Sequence, residues 1–137
     1  MLITHDDTAL RDLLSTAKVI AVVGHSDRPF RTSYQIAAYL RQVGYKVYPV
    51  NPEVSTIDGQ PSYASLADIP EPIDIVNVFR RSEFLADVVE QAVAVHAKAV
   101  WAQLGVQSDE AAKIAEAAHL PLVMDTCIKV EHRRLIR

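Results

Sequence analysis

Residues 18–40 contain the stretch that decides the fold. They read KVIAVVG (18–24), HSDRPFRT (25–32) and SYQIAAYL (33–40). The first run is short, apolar and rich in β-branched residues, which indicates a strand buried on both faces of a parallel sheet. In the last run Ile36 and Leu40 recur at helical spacing, and Gly44 is typical of the position just after a helix. The stretch therefore predicts a strand, a loop and a helix in direct succession.

The loop between this strand and this helix has the composition of an anion site. It contains Gly24, Ser26, Arg28, Arg31 and Thr32. A helix that starts at such a loop presents free backbone N–H groups and the positive end of its dipole. Phosphate is the anion that most often binds there, and arginine recognises phosphate with two parallel hydrogen bonds.

Length and composition exclude several classes of protein. The chain has 137 residues, of which 50% are hydrophobic and 23% charged, so we expect one globular domain over 1–137. A net charge of −3 gives no reason to expect binding to nucleic acid. One cysteine fits a reducing compartment, and no apolar run has the roughly 18 residues that a membrane span needs. We therefore expect a cytoplasmic protein without a signal peptide.

Four further strands are predicted at residues 45–50, 73–79, 98–102 and 122–124. Helices are expected before the first strand, after the third, where Ser82 would be the N-cap, and after the fourth, where Ser108 would be. Residues 53–72 predict a crossover with at most a short helix near 65–68. Alternating strands and helices predict a three-layer α/β Rossmann-like domain with a parallel sheet and helices on both faces. We expect the strand order 3-2-1-4-5 rather than 2-1-3-4-5.

The carboxyl ends of parallel strands share one edge, and ligands of such sheets bind there. The residues expected at this edge are Gly24, Ser26, Arg28 and Arg31 after the first strand, Asn51 after the second, and Phe79, Arg80 and Arg81 after the third, followed by Gln103 and Gly105 after the fourth and Asp125 and Cys127 after the fifth. Arginine suits bidentate recognition of phosphate, so four arginines on one edge indicate a phosphate site. The alternative is that they are ordinary exposed loop residues.

Common nucleotide signatures are missing. A dinucleotide fingerprint needs three glycines and an acid at the end of the second strand, but Ser26 and Pro29 stand at the later glycine positions and Asn51 ends the strand. Glu53 lies close to that position. No Gly-Lys-Ser or Gly-Lys-Thr of a Walker loop occurs. These departures disfavour NAD and nucleoside triphosphates.

Blocks along nearly the whole chain resemble the small stand-alone CoA-binding proteins. The blocks are VVG with Ser26, Arg31 with Ser33 and Tyr34, YPVNP (48–52), VFRR (78–81), WAQLG (101–105) and MDTCIKVE (124–131). More distantly, they are similar to the CoA-binding domain of the succinyl-CoA synthetase α subunit. The ordered series of blocks is more specific than any single block.

The resemblance implies coenzyme A as the cofactor, held along the strand ends. The implied binding residues are Gly24, Ser26, Arg28, Arg31, Ser33, Tyr34, Asn51, Phe79, Arg80, Arg81, Gln103, Gly105 and Cys127. The first loop would meet the phosphates, and Gln103, Gly105 and Cys127 would lie towards the pantetheine end. A mixed disulfide between Cys127 and the CoA thiol is one hypothesis, and an inert packed thiol is the other.

The expected function is binding of CoA or an acyl-CoA without catalysis. The sequence offers no paired carboxylates, no nucleophile with a base, and no metal-ligand spacing among its five histidines and its cysteine. Two alternatives remain open: a subunit of an acyl-CoA synthetase or ligase, inactive by itself, and an NAD(P)-binding regulator.

Overall fold

A computed structural model describes residues 1–136, and its centre is a five-stranded parallel sheet. The sheet strands are β1 (Val19–Val23), β2 (Lys46–Val50), β5 (Ile75–Val78), β6 (Ala99–Ala102) and β7 (Leu122–Val123). A separate hairpin consists of β3 (Thr56–Ile57) and β4 (Gln60–Pro61), and the helices are α1 (Asp7–Thr16), α2 (Thr32–Gln42), α3 (Leu85–Ala94), α4 (Asp109–Ala117) and α5 (Ile128–Leu135). Every residue of β1, β5 and β6 is buried, as the continuous apolar runs predict. The α/β Rossmann-like fold class is confirmed.

The predicted strand order is wrong. The sheet runs β2-β1-β5-β6-β7, which is 2-1-3-4-5 when the five strands are counted along the chain. The third strand therefore lies beside the first, with Val23 opposite Val78, and the second strand lies at the edge. The point where the order reverses lies between β1 and β5, and ligands of such sheets bind at that point.

Pro49 and the exposure of β2 explain the order. Proline has no N–H to donate to a sheet ladder, so it belongs on edge strands. Residues Lys46, Val47 and Tyr48 of β2 are exposed or half-buried, whereas the third strand is buried throughout. The order 3-2-1-4-5 would have placed the proline strand inside the sheet.

Two apolar layers cover the sheet. Leu10 of α1, Leu40 of α2 and Ile128 of α5 pack on one face, together with the fully buried Trp101. Helices α3 and α4 pack on the other face. This arrangement leaves the carboxyl edge of the sheet to the loops.

Two local predictions need correction. The crossover from β2 to β5 contains the hairpin β3–β4, which turns at Asp58-Gly59, and a 3₁₀ helix over Leu66–Asp68. Only the short helix was expected, although Asp-Gly is a strong hairpin signal. Ser82 does not cap α3; it starts a 3₁₀ turn, and its Oγ accepts from Gln107 N and donates to Gly105 O. Ser108 caps α4 as predicted, by accepting from Ala111 N.

Within residues 1–136 no helix is both long enough and apolar enough to cross a bilayer.

Asp74 fastens the amino ends of three strands. Its Oδ2 accepts from the N–H groups of Lys18 at 2.8 Å and Val19 at 2.9 Å, and its Oδ1 lies 3.3 Å from Lys98 Nζ. Burial by itself raises the pKa of Asp74, but the hydrogen bonds from Lys18, Val19 and Lys98 outweigh it, so the pKa is lowered.

Asp74→Ala is therefore expected to lower the free energy of unfolding by about 1–3 kcal/mol, because two strand-end N–H groups lose their acceptor. A lowered pKa in the folded state means that this contribution is present above the unfolded value of about 3.9 and is lost as the pH falls through the folded pKa. Denaturant unfolding at neutral and acidic pH measures both effects. Asp12→Ala, at an exposed position of α1, is the control; equal losses in the two variants would contradict the assignment.

Candidate functional site

Three clefts adjoin one another along the carboxyl edge of the sheet, and we call them together the edge groove. The first, about 620 Å³, lies at the loop after β1 and is lined by Gly24, Ser26, Asp27, Arg28, Arg31, Thr32, Ser33, Asn51, Glu53, Val54 and Phe79. The second, about 720 Å³, shares Gly24, Arg31 and Phe79 with it and extends over Pro52, Ala64, Phe84 and Val88 towards α3. The third, about 490 Å³, runs from Phe79 to Gly105. Each has the size of a small-molecule site.

Gly24 allows β1 and β5 to approach at the reversal of the strand order. Its φ is +86°, and a Cβ built there would lie 2.9 Å from the Phe79 carbonyl oxygen. Gly24 N donates to Val50 O, and Phe79 N donates to Val23 O. These backbone hydrogen bonds connect the ends of β2, β1 and β5, and glycine at this position permits their close approach.

The loop after β1 is shaped by its own side chains. Ser33 is buried, and its Oγ accepts from Ser26 N at 2.9 Å. Ser26 Oγ accepts from Arg28 N, and Asn51 Nδ2 donates to His25 O at 3.0 Å. Ser26, Ser33 and Asn51 thus fix the loop conformation as well as lining the first cleft.

The amino end of α2 faces the same cleft without a capping side chain. Asp6 caps α1 and Ser108 caps α4, but no side chain bonds to the first N–H groups of α2 among the described residues. Thr32 and Ser33 of its first turn line the first cleft. These N–H groups and the helix dipole favour an anion in the cleft.

Four arginines border the groove. Arg28 and Arg31 line the first cleft, and Arg80 and Arg81 line the second and third. Arg80 lies over the ring of Phe84, with its guanidinium carbon 4.0 Å from the ring centroid. Arg81 pairs with Glu83 at 3.1 Å, whereas Arg28, Arg31 and Arg80 form no ion pair within residues 1–136.

Gln103 and Gly105 extend the groove to β6. Gln103 is buried, and its Oε1 accepts from Asn77 Nδ2 at 3.1 Å and from Ile128 N at 3.0 Å. Gly105 N donates to Asp125 Oδ1 at 2.7 Å. Gln103 therefore joins β5, β6 and the start of α5, while lining the third cleft.

Eleven of the thirteen residues predicted to bind the ligand line the groove; Tyr34 and Cys127 do not. The Tyr34 hydroxyl donates to Asp58 on the hairpin, away from the clefts. Cys127 is half-buried at the start of α5 and packs with the apolar layer of α1, α2 and α5. Their roles in binding stay predictions.

Sequence reasoning did not assign several lining residues to the site. Pro52, Ala64, Phe84, Val88 and Gln91 line the second cleft, and Leu104 and Val106 line the third. The four-residue spacing of Arg80 and Phe84 could have indicated their contact. Most of the other positions lie near the site only because β2 and β5 are the two neighbours of β1 in the sheet. His25, fully buried beneath the loop, also carried no recognised signal.

Within the described part of the chain, no three His, Cys, Asp or Glu residues are grouped so that they could hold a metal ion.

Comparisons with known proteins identify relatives of this chain. The sequence profile of a family described as "CoA binding domain" matches residues 18–133. The uncharacterized protein YneT of Bacillus subtilis is 43% identical over 123 residues, which are 90% of this chain and 91% of YneT. The solved structure of cell-free ID.343 from Thermus thermophilus superposes with a TM-score of 0.90 at 41% identity and covers 96% of this chain and 99% of that one.

A longer relative contains a similar region. Acetate–CoA ligase [ADP-forming] I of Archaeoglobus fulgidus is 29% identical over 121 residues, which are 81% of this chain but only 18% of that enzyme. The chain thus matches a fraction of the ligase and nearly the full length of YneT. With a profile match that spans most of its length, the chain belongs to the CoA-binding domain family.

Proposed function

We propose that this protein binds coenzyme A, free or acylated, in the edge groove and has no catalytic activity of its own. The observation that carries the proposal is that three arginines without an acidic partner in residues 1–136 converge on one groove. The amino end of α2, which no side chain of residues 1–136 caps, faces the same groove. CoA carries a diphosphate and a 3′-phosphate, so it needs more cationic partners than NAD does. Membership in the CoA-binding domain family supports the same ligand.

The residues present fit this ligand. The N–H groups of Thr32 and Ser33, with Arg28 and Arg31, supply donors for phosphate oxygens. Gly24 lets the ends of β1 and β5 approach each other beside the groove, because any Cβ there would lie 2.9 Å from the Phe79 carbonyl oxygen. Pro52, Ala64 and Phe84 form apolar walls in the second cleft, which suits the less polar parts of a nucleotide.

The expectation that the protein lacks catalytic activity depends on which side chains line the groove. Its titratable side chains are those of Asp27 and Glu53 beside the arginines, and no pair of nucleophile and base is assembled among its lining residues. We therefore expect no acyl-CoA synthesis or hydrolysis by the purified protein.

One alternative has support from a specific comparison. Because the similar region of the Archaeoglobus ligase is a small part of a larger enzyme, this chain could supply the CoA site of a ligase whose nucleotide site lies on another protein. Co-purification of a tagged form with one stoichiometric ATP-binding partner would favour this alternative; a CoA-binding protein without such a partner favours the proposal.

A thermal-shift panel tests the proposal. CoA is expected to raise the melting temperature, because a ligand that binds the folded state alone stabilises it by mass action. NAD and NADP at equal concentration should give much smaller shifts, since they lack the CoA phosphate pattern. Equal shifts for CoA and NAD would overturn the CoA assignment, and a larger shift for NADP would favour an NADP-binding regulator.

A further inference from the structure

His25 occupies a position beneath the loop after β1 for which the function proposed above assigns no role. Its side chain is fully buried, although Asp27 and Arg28 of the same loop are exposed. A buried polar side chain requires partners for its polar atoms. Both ring nitrogens of His25 have one.

The two partners define the tautomer. Nδ1 lies 2.8 Å from Ser26 O, and a carbonyl oxygen can only accept, so Nδ1 carries the proton. Nε2 lies 3.2 Å from Nη1 of Arg41 on α2, and a guanidinium can only donate, so Nε2 is the acceptor. The ring is neutral in this arrangement and links the Ser26 carbonyl to α2.

Further contacts of His25 connect the loop after β1 to β2 and α2. Asn51, at the end of β2, donates to the His25 carbonyl oxygen. The ring of Tyr34 on α2 meets the His25 ring edge-to-face at 6.0 Å, and the Tyr34 hydroxyl bonds to Asp58 of the hairpin. The titratable or charged groups facing His25 are therefore Arg41 and Tyr34 from α2 and Asp58 from the hairpin.

We propose that neutral His25 is a positioning residue that holds the Ser26–Arg28 part of the loop in the conformation that binds the phosphates of CoA. Protonation of Nε2 would place a second positive donor against the Arg41 guanidinium. That contact cannot persist, so either the ring or Arg41 must move, and the loop conformation is released. The inference rests on the proposed function and adds a pH dependence to it.

The electrostatics of the buried ring agree with the geometry. Burial lowers the pKa of His25 and the Arg41 charge lowers it further, while the Ser26 hydrogen bond and Asp58 oppose them. The unfolded chain therefore takes up the proton first, at about 6.5. Both the folded state and the binding-competent loop lose stability as the pH falls below that value towards the folded pKa.

Calorimetric titration with dephospho-CoA at about pH 7.5 and about pH 5.5 tests the inference. The 3′-phosphate of CoA itself titrates near pH 6, and dephospho-CoA lacks it, so the ligand contributes no change of charge in this range. We expect the wild-type protein to bind dephospho-CoA severalfold more weakly at the lower pH, because protonation of His25 favours the released loop over the binding-competent one.

Two variants isolate His25. His25→Asn keeps a donor for Ser26 O but cannot titrate, so the affinity ratio between the two pH values should fall towards one. Arg41→Gln keeps a donor for Nε2 without the charge, and it should also flatten the pH dependence. His132→Gln is the matched control, because His132 is a second buried histidine with a pKa lowered by burial, and it lies on α5 beside Tyr39. This control should keep the wild-type ratio.

Each outcome decides between the two claims. A wild-type protein that binds neither CoA nor dephospho-CoA at the higher pH would overturn the proposed function and this inference with it. Binding by all forms with the same ratio between the two pH values would overturn the role of His25 alone. If His25→Asn does not fold, an unchanged ratio in Arg41→Gln has the same meaning.

Discussion

Gly24→Ala is expected to destabilise the protein and to weaken CoA binding, with the largest effect of any single methyl group added at the groove. Alanine at φ +86° costs about 1–3 kcal/mol for the backbone conformation alone. The added Cβ would also lie 2.9 Å from the Phe79 carbonyl oxygen and 3.2 Å from its carbon. These are backbone atoms of Phe79, whose N–H bonds to Val23 O at the end of β1, so the two strand ends must separate at the reversal point of the sheet.

Denaturant unfolding and CoA titration of Gly24→Ala measure both losses. Gly59→Ala is a close control, because Gly59 has φ +78° and no atom within 4 Å of its built Cβ. Its loss of stability should be the conformational cost alone, and its CoA affinity should be that of the wild type. If the two variants lose equal stability and both bind CoA normally, the close approach at Gly24 does not matter.

Arg28→Ala, Arg31→Ala and Arg80→Ala are each expected to weaken CoA binding by about 1.5–3 kcal/mol where the guanidinium meets a phosphate, which is the usual range for hydrogen bonds to a charged group. None of the three has an acidic partner within the described residues, so their charge is available to a ligand. Arg81 is already paired with Glu83, and Arg81→Ala should have a smaller effect.

Comparison of CoA with dephospho-CoA separates the phosphates. The wild type should prefer CoA, and one of the three variants should lose that preference because its arginine meets the 3′-phosphate. Arg133→Ala, at an exposed position of α5, is the control and should bind as the wild type does. If all three variants bind CoA with wild-type affinity, these arginines do not contact the ligand and are ordinary surface residues.

The sequence predicted the fold class because its signal is local. An apolar, β-branched strand at 19–23 is followed by a segment with helical spacing, and predicted strands and helices continue to alternate along the chain. Such alternation predicts a parallel sheet whose two faces are covered by helices. Strand order depends on which distant segments pair with each other, and the hydrophobic periodicity of each segment does not predict that pairing. Pro49 was the one sequence signal for strand order, and it was not used: a proline within the second strand favours an edge position.

The candidate site was predictable where it depends on single strand ends. Gly24 and Phe79 directly follow the ends of β1 and β5, and Arg31 ends the loop after β1. The structure brings the three together at the groove. Phe84, which ends the 3₁₀ turn before α3, and Val88 of α3 also line the groove, and their position depends on β5 lying next to β1. The burial and bonding of His25 were not predicted, because no sequence pattern marks a buried histidine that bonds to its neighbour's carbonyl oxygen.

The most direct test of the central claim is calorimetric titration of the purified protein with CoA and, in parallel, with NAD at low salt and neutral pH. The proposed function predicts saturable binding of one CoA per chain, weaker binding of dephospho-CoA, and no comparable heat with NAD. Affinity for CoA no greater than for NAD, in protein shown to be folded and free of bound nucleotide, would contradict it.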